Sequence, residues 1–256
     1  MIAEHLPPAW TGAMAAILGL VLGSFAGMCA YRLPRRKEIV RQGSHCPVCG
    51  VRIPPWRNIP LFSFALQRGR CFACRQRIHW RYVYCEALCA ALTWACWHKF
   101  GLSGALLAGT ALCGILVLLS AIDLEHRQLP DRLTLPLLWL GLLFSLTGPE
   151  APFASPADGI VGAAAAYGLL RVADTLWRRL RKRPAFGGGD IKLLAALGAW
   201  LGPFGALAAL GAAAILGSLY SIARVLGTRT GFHDTLPFGP FLAMGSVCVL
   251  FFPDAL

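Results

Sequence analysis

Acidic side chains are scarce in this 256-residue chain. Only 12 Asp and Glu stand against 24 Lys and Arg, and charged residues of both signs make up 14%. Soluble globular proteins carry about a quarter charged residues, so the shortage excludes an ordinary soluble domain. With 57% hydrophobic residues and a mean hydropathy of +0.60, the composition is that of a polytopic membrane protein. Several motifs are also missing. There is no G-x-S-x-G nucleophile elbow and no H-E-x-x-H zinc motif, which removes the usual signals of serine and metallopeptidases. No glycine-rich nucleotide fingerprint is present. A basic n-region is lacking too: Glu4 and His5 occupy its place and the apolar run continues through Ala30, so residues 1–30 read as a retained first span rather than a cleaved signal.

What is present is a series of apolar segments. The first runs from about 10 to 30, long enough to cross a hydrocarbon core. A polar stretch at 31–82, rich in Arg, Pro and Cys, follows it. Further apolar segments lie at about 83–98, 104–122, 133–147, 158–173, 191–202, 205–224 and 236–252. The expected fold is therefore an all-α polytopic membrane protein with about eight transmembrane helices and one cytoplasmic cysteine-rich loop domain. Charge placement orients it. If the first span ends in the cytoplasm, 22 of the 24 Lys and Arg fall in cytoplasmic segments, as the positive-inside bias requires. Both termini are then expected on the periplasmic side. The net charge of +12 needs no nucleic-acid partner.

Six of the ten cysteines (Cys29, Cys85, Cys89, Cys96, Cys113 and Cys248) lie in or beside apolar segments and read as small packing residues. The other four form the set Cys46-x2-Cys49-x21-Cys71-x2-Cys74, one residue beyond the usual range for paired zinc knuckles. Four thiolates satisfy tetrahedral zinc with no open position, so the metal would be structural and would fold a loop poor in apolar residues. Disulfides and free thiols are the alternatives, and a cytoplasmic location disfavours disulfides.

The few acids then gain weight, because an acid at a membrane boundary is costly. Asp190 follows Gly187, Gly188 and Gly189, and Asp123 ends the span 104–122. The two are 67 residues apart yet expected at similar depth on the cytoplasmic side. Two readings of Asp190 compete: a cap for the helix beginning at Ile191, or half of a carboxyl pair. Hydrolysis of a peptide bond needs an activated water and a protonated leaving amine, and two carboxyls sharing one proton supply both. Glycines beside one of them let an extended substrate backbone approach. The remaining acids have plainer readings. Asp131 after Leu129-Pro130 and Asp158 after Ser155-Pro156 look like helix starts. Glu125 reads as solvated, Asp174 as a span-end acid, and His126 and His233 as surface residues.

An ordered set of motifs accompanies these residues. It comprises Gly23-Ser24-Phe25, Tyr31-Arg32-Leu33-Pro34, Cys46-Pro47-x-Cys49, Trp56, Asn58-Ile59-Pro60 and Arg68-Gly69-Arg70-Cys71-x-x-Cys74. It continues with Arg81-Tyr82…Glu86, Ile122-Asp123…Leu129-Pro130-Asp131, Gly187-x-Gly189-Asp190-x-Lys192 and Pro237-Phe238-Gly239-Pro240-Phe241-Leu242-Ala243. With these motifs the chain resembles the bacterial type IV prepilin peptidases, also called leader peptidase/N-methyltransferases, which are G-x-G-D intramembrane aspartic proteases. The resemblance covers nearly the whole length. It implies Asp123 and Asp190 as catalytic residues and an inner-membrane location with the active site facing the cytoplasm. Prepilins and type II secretion pseudopilins would be the substrates. It also implies a second activity, N-methylation with S-adenosylmethionine, associated with the cysteine-bearing loop, for which Glu86 is a candidate. The implied organisation is a first transmembrane helix at 1–30, a zinc-binding domain at 31–82 and a peptidase domain at 83–256. The sequence departs from the family pattern at Ala26-Gly27, where Leu-Asn is usual, and at Val83, where Pro is usual. An ion or proton transporter, and a non-enzymatic assembly component docking through the cysteine loop, are the alternatives from other functional classes.

Overall fold

The computed structural model describes residues 7–39, 43–148, 153–227 and 236–253. Glu4, His5, His233 and Asp234 lie outside that set. Among the described residues the chain is helical, with two isolated β-bridges in the cysteine loop. The helices are α1 (Pro8–Arg32), α2 (Phe62–Leu66), α3 (Trp80–Phe100), α4 (Gly104–His126), α5 (Asp131–Ser145), α6 (Pro156–Arg181), α7 (Gly188–Gly227) and α8 (Gly239–Phe251). Four of them, α1, α4, α6 and α7, are long and apolar enough to cross a membrane. The expected all-helical membrane architecture is thus present, while α3, α5 and α8 are shorter or less apolar.

The chain divides into two compact units, Met1–Ala121 and Ile122–Leu256. In the first, α1 lies along α3 on a seam of glycines. A Cβ at Gly19 would come 2.5 Å from the Cys89 carbonyl oxygen, and one at Gly23 would come 2.5 Å from that of Cys85. Small residues at four-residue spacing let two membrane helices approach to backbone contact. The other face of α1 exposes Trp10, Met14, Ile17, Val21 and Phe25, an apolar surface suited to lipid. Cys29, Cys85, Cys89, Cys96 and Cys113 are buried, in line with the packing role read from sequence. Cys248 instead is exposed on α8.

The second unit is organised on α7, against which α5, α6 and α8 all pack. Its 40 residues would measure about 60 Å if straight, about twice a hydrocarbon core. They are not one straight helix. Gly202, at φ 72° and ψ −178°, breaks it, and Pro203 follows. Pro203 has no N–H to donate and Gly202 takes the left-handed φ that other residues avoid. The break frees the Trp200 carbonyl, which accepts from Ala154 N at 2.9 Å. The Trp200 indole donates to the Leu137 carbonyl of α5 at 2.8 Å. The two expected segments 191–202 and 205–224 therefore meet end to end. The helix start expected at Asp158 is present: Ser155 caps α6, accepting from Asp158 N at 3.3 Å and donating to the Asp158 carboxylate at 2.6 Å.

Candidate active site

Asp123 sits in the last turn of α4 and is 5% exposed. The helix ends just beyond it. Arg127 takes a left-handed φ of 52° and its N–H donates to the Asp123 carbonyl at 2.8 Å. The Asp123 side chain is held from a distant element: Gly239 N, at the start of α8, donates to Oδ2 at 2.9 Å across 116 residues of chain. A Cβ at Gly239 would lie 2.8 Å from that oxygen, so the close approach requires glycine.

Asp190 lies in the first turn of α7 and is half-buried. Because α7 begins at Gly188, Asp190 is not the residue that precedes the helix, as the capping reading had it. It sits at the third helical position, and its Oδ2 reaches back to accept from Gly187 N at 3.1 Å. That is the carboxylate half of a capping box. It engages one carboxylate oxygen of Asp190, so capping at this residue is compatible with a second role for the other. The charge of Asp123 is close enough to act on Asp190. The second unit therefore brings the two acids together, each anchored through one oxygen by one backbone N–H.

The three glycines before Asp190 have different surroundings. Gly187 supplies the N–H. Gly189 packs on the loop after α4, where an added Cβ would lie 2.6 Å from Leu129 Cβ. Gly188 faces open space. Leu129 Cδ2 would also lie 3.1 Å from a Cβ on Gly239, so one leucine fits against both glycine backbones. Only its place in the motif Leu129-Pro130-Asp131 could have marked it. Asp131 opens α5, as expected of a helix start. Its carboxylate receives Lys192 Nζ at 2.7 Å on both oxygens, joining the starts of α5 and α7. Glu125 is not fully solvated: its side chain is 20% exposed and lies 3.9 Å from His126 Nε2.

The four cysteines converge in the first unit. Their Sγ atoms all lie within 4.8 Å of one another, with Cys46 and Cys74 at 3.8 Å. A tetrahedral zinc with bonds near 2.3 Å separates its sulfurs by about 3.8 Å, so the donor set fits a metal such as zinc. Each pair sits on a similar knuckle. Cys46 N donates to Val51 O at 2.9 Å and Gly50 N to Cys46 O at 3.0 Å. Cys71 N donates to Gln76 O at 2.8 Å and Arg75 N to Cys71 O at 3.0 Å. The Cys74 backbone N–H beside Cys71 holds the Cys71 thiol down to about 7, favouring the thiolate a metal needs. Glu86, on α3, is buried. It accepts from Leu61 N at 2.8 Å and bonds the Ser24 side chain, tying α1, α3 and the turn before α2.

Fold and site together define a class: a helical membrane protein with two helix-end carboxylates, each held by a backbone N–H, and a four-cysteine module. Residues 17–100 match the model of the bacterial peptidase A24 N-terminal domain, and residues 110–222 match the type IV leader peptidase family. The chain is 39% identical over 272 residues to a prepilin leader peptidase/N-methyltransferase of Burkholderia pseudomallei, covering 96% of this chain and 87% of that one. It is 37% identical to the protein of that name from Xanthomonas campestris (94% and 91% covered) and 34% identical to that from Neisseria gonorrhoeae (90% and 87%). No solved structure matches the chain significantly. The chain belongs to the type IV leader peptidase family.

Proposed function

We propose that this protein is an intramembrane aspartic endopeptidase of the bacterial inner membrane that removes the leader from type IV prepilins and type II secretion pseudopilins. It then N-methylates the new terminus. The observation that carries the peptidase reading is the pairing of Asp123 and Asp190, each fixed by one N–H, from Gly239 and Gly187. Held close, the two carboxyls share one proton. The ionised member removes a proton from water as the oxygen attacks the scissile carbonyl carbon. The protonated member donates to the carbonyl oxygen. As the tetrahedral diol collapses, it returns one proton to the carboxylate that protonated it, the C–N bond breaks and the amine leaves with the proton taken from water. Gly188, which faces open space, gives the substrate backbone its approach, while Gly187 and Gly189 hold the acid's backbone in place.

The four cysteines hold one structural zinc that shapes the loop at 31–82, between the first transmembrane helix at 1–30 and the peptidase domain at 83–256. S-adenosylmethionine supplies the methyl group when bound. Glu86 serves that reaction by holding the turn at Leu61. With α7 counted as two spans on either side of Gly202, the protein crosses the membrane eight times, with the active site facing the cytoplasm and both termini periplasmic.

The test is to incubate purified protein with a prepilin, with and without S-adenosylmethionine, and to weigh the product. Loss of the leader, followed by one further methyl increment, is expected. A substrate of unchanged mass would overturn the reading.

A further inference from the structure

Outside the carboxyl pair, one acid in the second unit is completely buried and fully used. Asp174, near the end of α6, is 0% exposed. Its Oδ2 receives Arg178 Nε at 2.6 Å. Its Oδ1 accepts from two consecutive backbone N–H groups beyond the helix, Ala185 at 2.9 Å and Phe186 at 3.3 Å. The next N–H in the chain, that of Gly187, donates to Asp190. Three successive amides are thus shared between two carboxylates, two to Asp174 and one to Asp190. These bonds anchor the segment joining α6 to α7. It leaves α6 at Lys182 in a left-handed conformation (φ 55°) and crosses Pro184 before the amides begin.

The same segment reaches the other half of the site. The ring of Phe186 lies 6.4 Å from that of Phe238, and Phe238 directly precedes the Gly239 whose N–H holds Asp123. A shift of residues 185–186 would therefore move the donors of both acids together. A buried carboxylate left without its partners is costly, and the bonds at Asp174 make this segment's position two-sided: helix α6 on one side, Asp190 on the other.

We infer that Asp174 is a positioning residue for peptide cleavage, holding the 185–187 segment so that Gly187 N–H meets Asp190 and Phe186 seats Phe238 beside Gly239. The inference rests on the peptidase reading above. Asp174 touches neither substrate nor the reacting water. Its role is to keep the two carboxyls in one geometry, where a displacement of about 1 Å costs on the order of a hundredfold in rate.

The test compares the purified full-length chain with its Asp174→Ala, Asp174→Asn, Arg178→Gln and Asp174→Asn/Arg178→Gln forms. Prepilin cleavage is resolved into kcat and KM, and methyl transfer to an already cleaved pilin is followed in parallel. Asp174→Ala is expected to lower kcat at least about tenfold with KM within about threefold, leaving methyl transfer unchanged. A general folding defect would lower both reactions. In Asp174→Asn the amide oxygen still accepts from Ala185 and Phe186, but its NH2 group faces the Arg178 donor, so an intermediate kcat is expected. The double form offers that NH2 an acceptor and should recover part of the loss. A kcat within twofold of wild type in Asp174→Ala, or a loss seen in KM alone, overturns the inference. If Asp174→Ala does not accumulate, the Asn series decides it: no loss in Asp174→Asn, or no recovery in the double form, is the overturning result. If the wild-type chain itself cleaves no prepilin, the peptidase reading fails first.

Discussion

The four-cysteine module and the carboxylate site are both built from pairs, yet they are held in opposite ways. Each cysteine knuckle closes on itself: the bonds around Cys46 end at Val51 and those around Cys71 at Gln76. Only the meeting of the two knuckles is long-range, and there the four thiols are placed to share a metal such as zinc. At the carboxylate site the helices set the acids' depth, but each side chain is fixed by an N–H at the start of an element. For Asp123 that donor lies 116 residues away. The cysteine module should therefore tolerate change outside its thiols, whereas the aspartate site should be sensitive to backbone placement at several remote points.

The largest expected effect separates chemistry from scaffold. Asp123→Asn or Asp190→Asn should abolish prepilin cleavage, a loss on the order of a thousandfold or more, while the protein still accumulates in the membrane and methylates a cleaved pilin. Residual wild-type cleavage by either variant would break the comparison at its centre.

Next come the glycines. Gly239→Ala places a Cβ 2.8 Å from Asp123 Oδ2, and Gly189→Ala places one 2.6 Å from Leu129 Cβ. Each should reduce kcat by about tenfold to a hundredfold. Gly188→Ala meets no atom within 4 Å and should act through KM, if the substrate backbone passes there. Equal kcat losses at all three positions would deny the separate roles.

The cysteine module should respond to metal and pH instead. Metal analysis should find about one zinc per chain, lost in Cys46→Ser or Cys71→Ser. The Cys71 thiol is lowered from 9.0 to about 7, first by the Cys74 N–H. In the metal-free protein the Cys71 contribution is complete above 9.0 and is lost as pH falls through about 7, while the neighbouring Cys74 thiol, raised to about 11, opposes it by favouring the protonated form. Zinc affinity falls in the same direction, because protons compete for the thiolates. A titration showing tighter binding at pH 6 than at pH 8 would contradict this.

Smaller still is the ion pair of Asp131 with Lys192, whose side chains are 55% and 36% exposed. Lys192→Met should cost about 0–1 kcal/mol of stability in thermal unfolding. The smallest change is Arg75→Gly. Arg75 and Gly50 occupy corresponding knuckle positions at φ 60° and 70°, so relief of left-handed strain should nearly offset the added freedom of the unfolded chain. A shift of a few tenths of a kcal/mol is expected.

The apolar segments, the cysteine spacing and the two acids were legible along the chain for one physical reason. Each is a costly or periodic local pattern: twenty apolar residues, thiols three apart, a carboxylate where acids are rare. The same locality made the start of α6 readable at Asp158 after Ser155-Pro156. Asp131 is the helix start its sequence suggests, but its partner Lys192 comes from another helix and leaves no local mark, and Asp190 is the third residue of its helix because α7 starts at Gly188 rather than Ile191.

Tertiary structure alone decided who holds whom. That Gly239 anchors Asp123, that Leu129 fits under two glycine backbones, that Gly188 is open while Gly189 is filled, and that Asp174 is spent on Ala185 and Phe186 all depend on backbone N–H groups and on space. Every residue but proline carries the same N–H, and empty space carries no letter at all. Residue types announce which chemistry is available; only the packed chain determines which oxygen is bound, which is left free, and from which side a substrate can come.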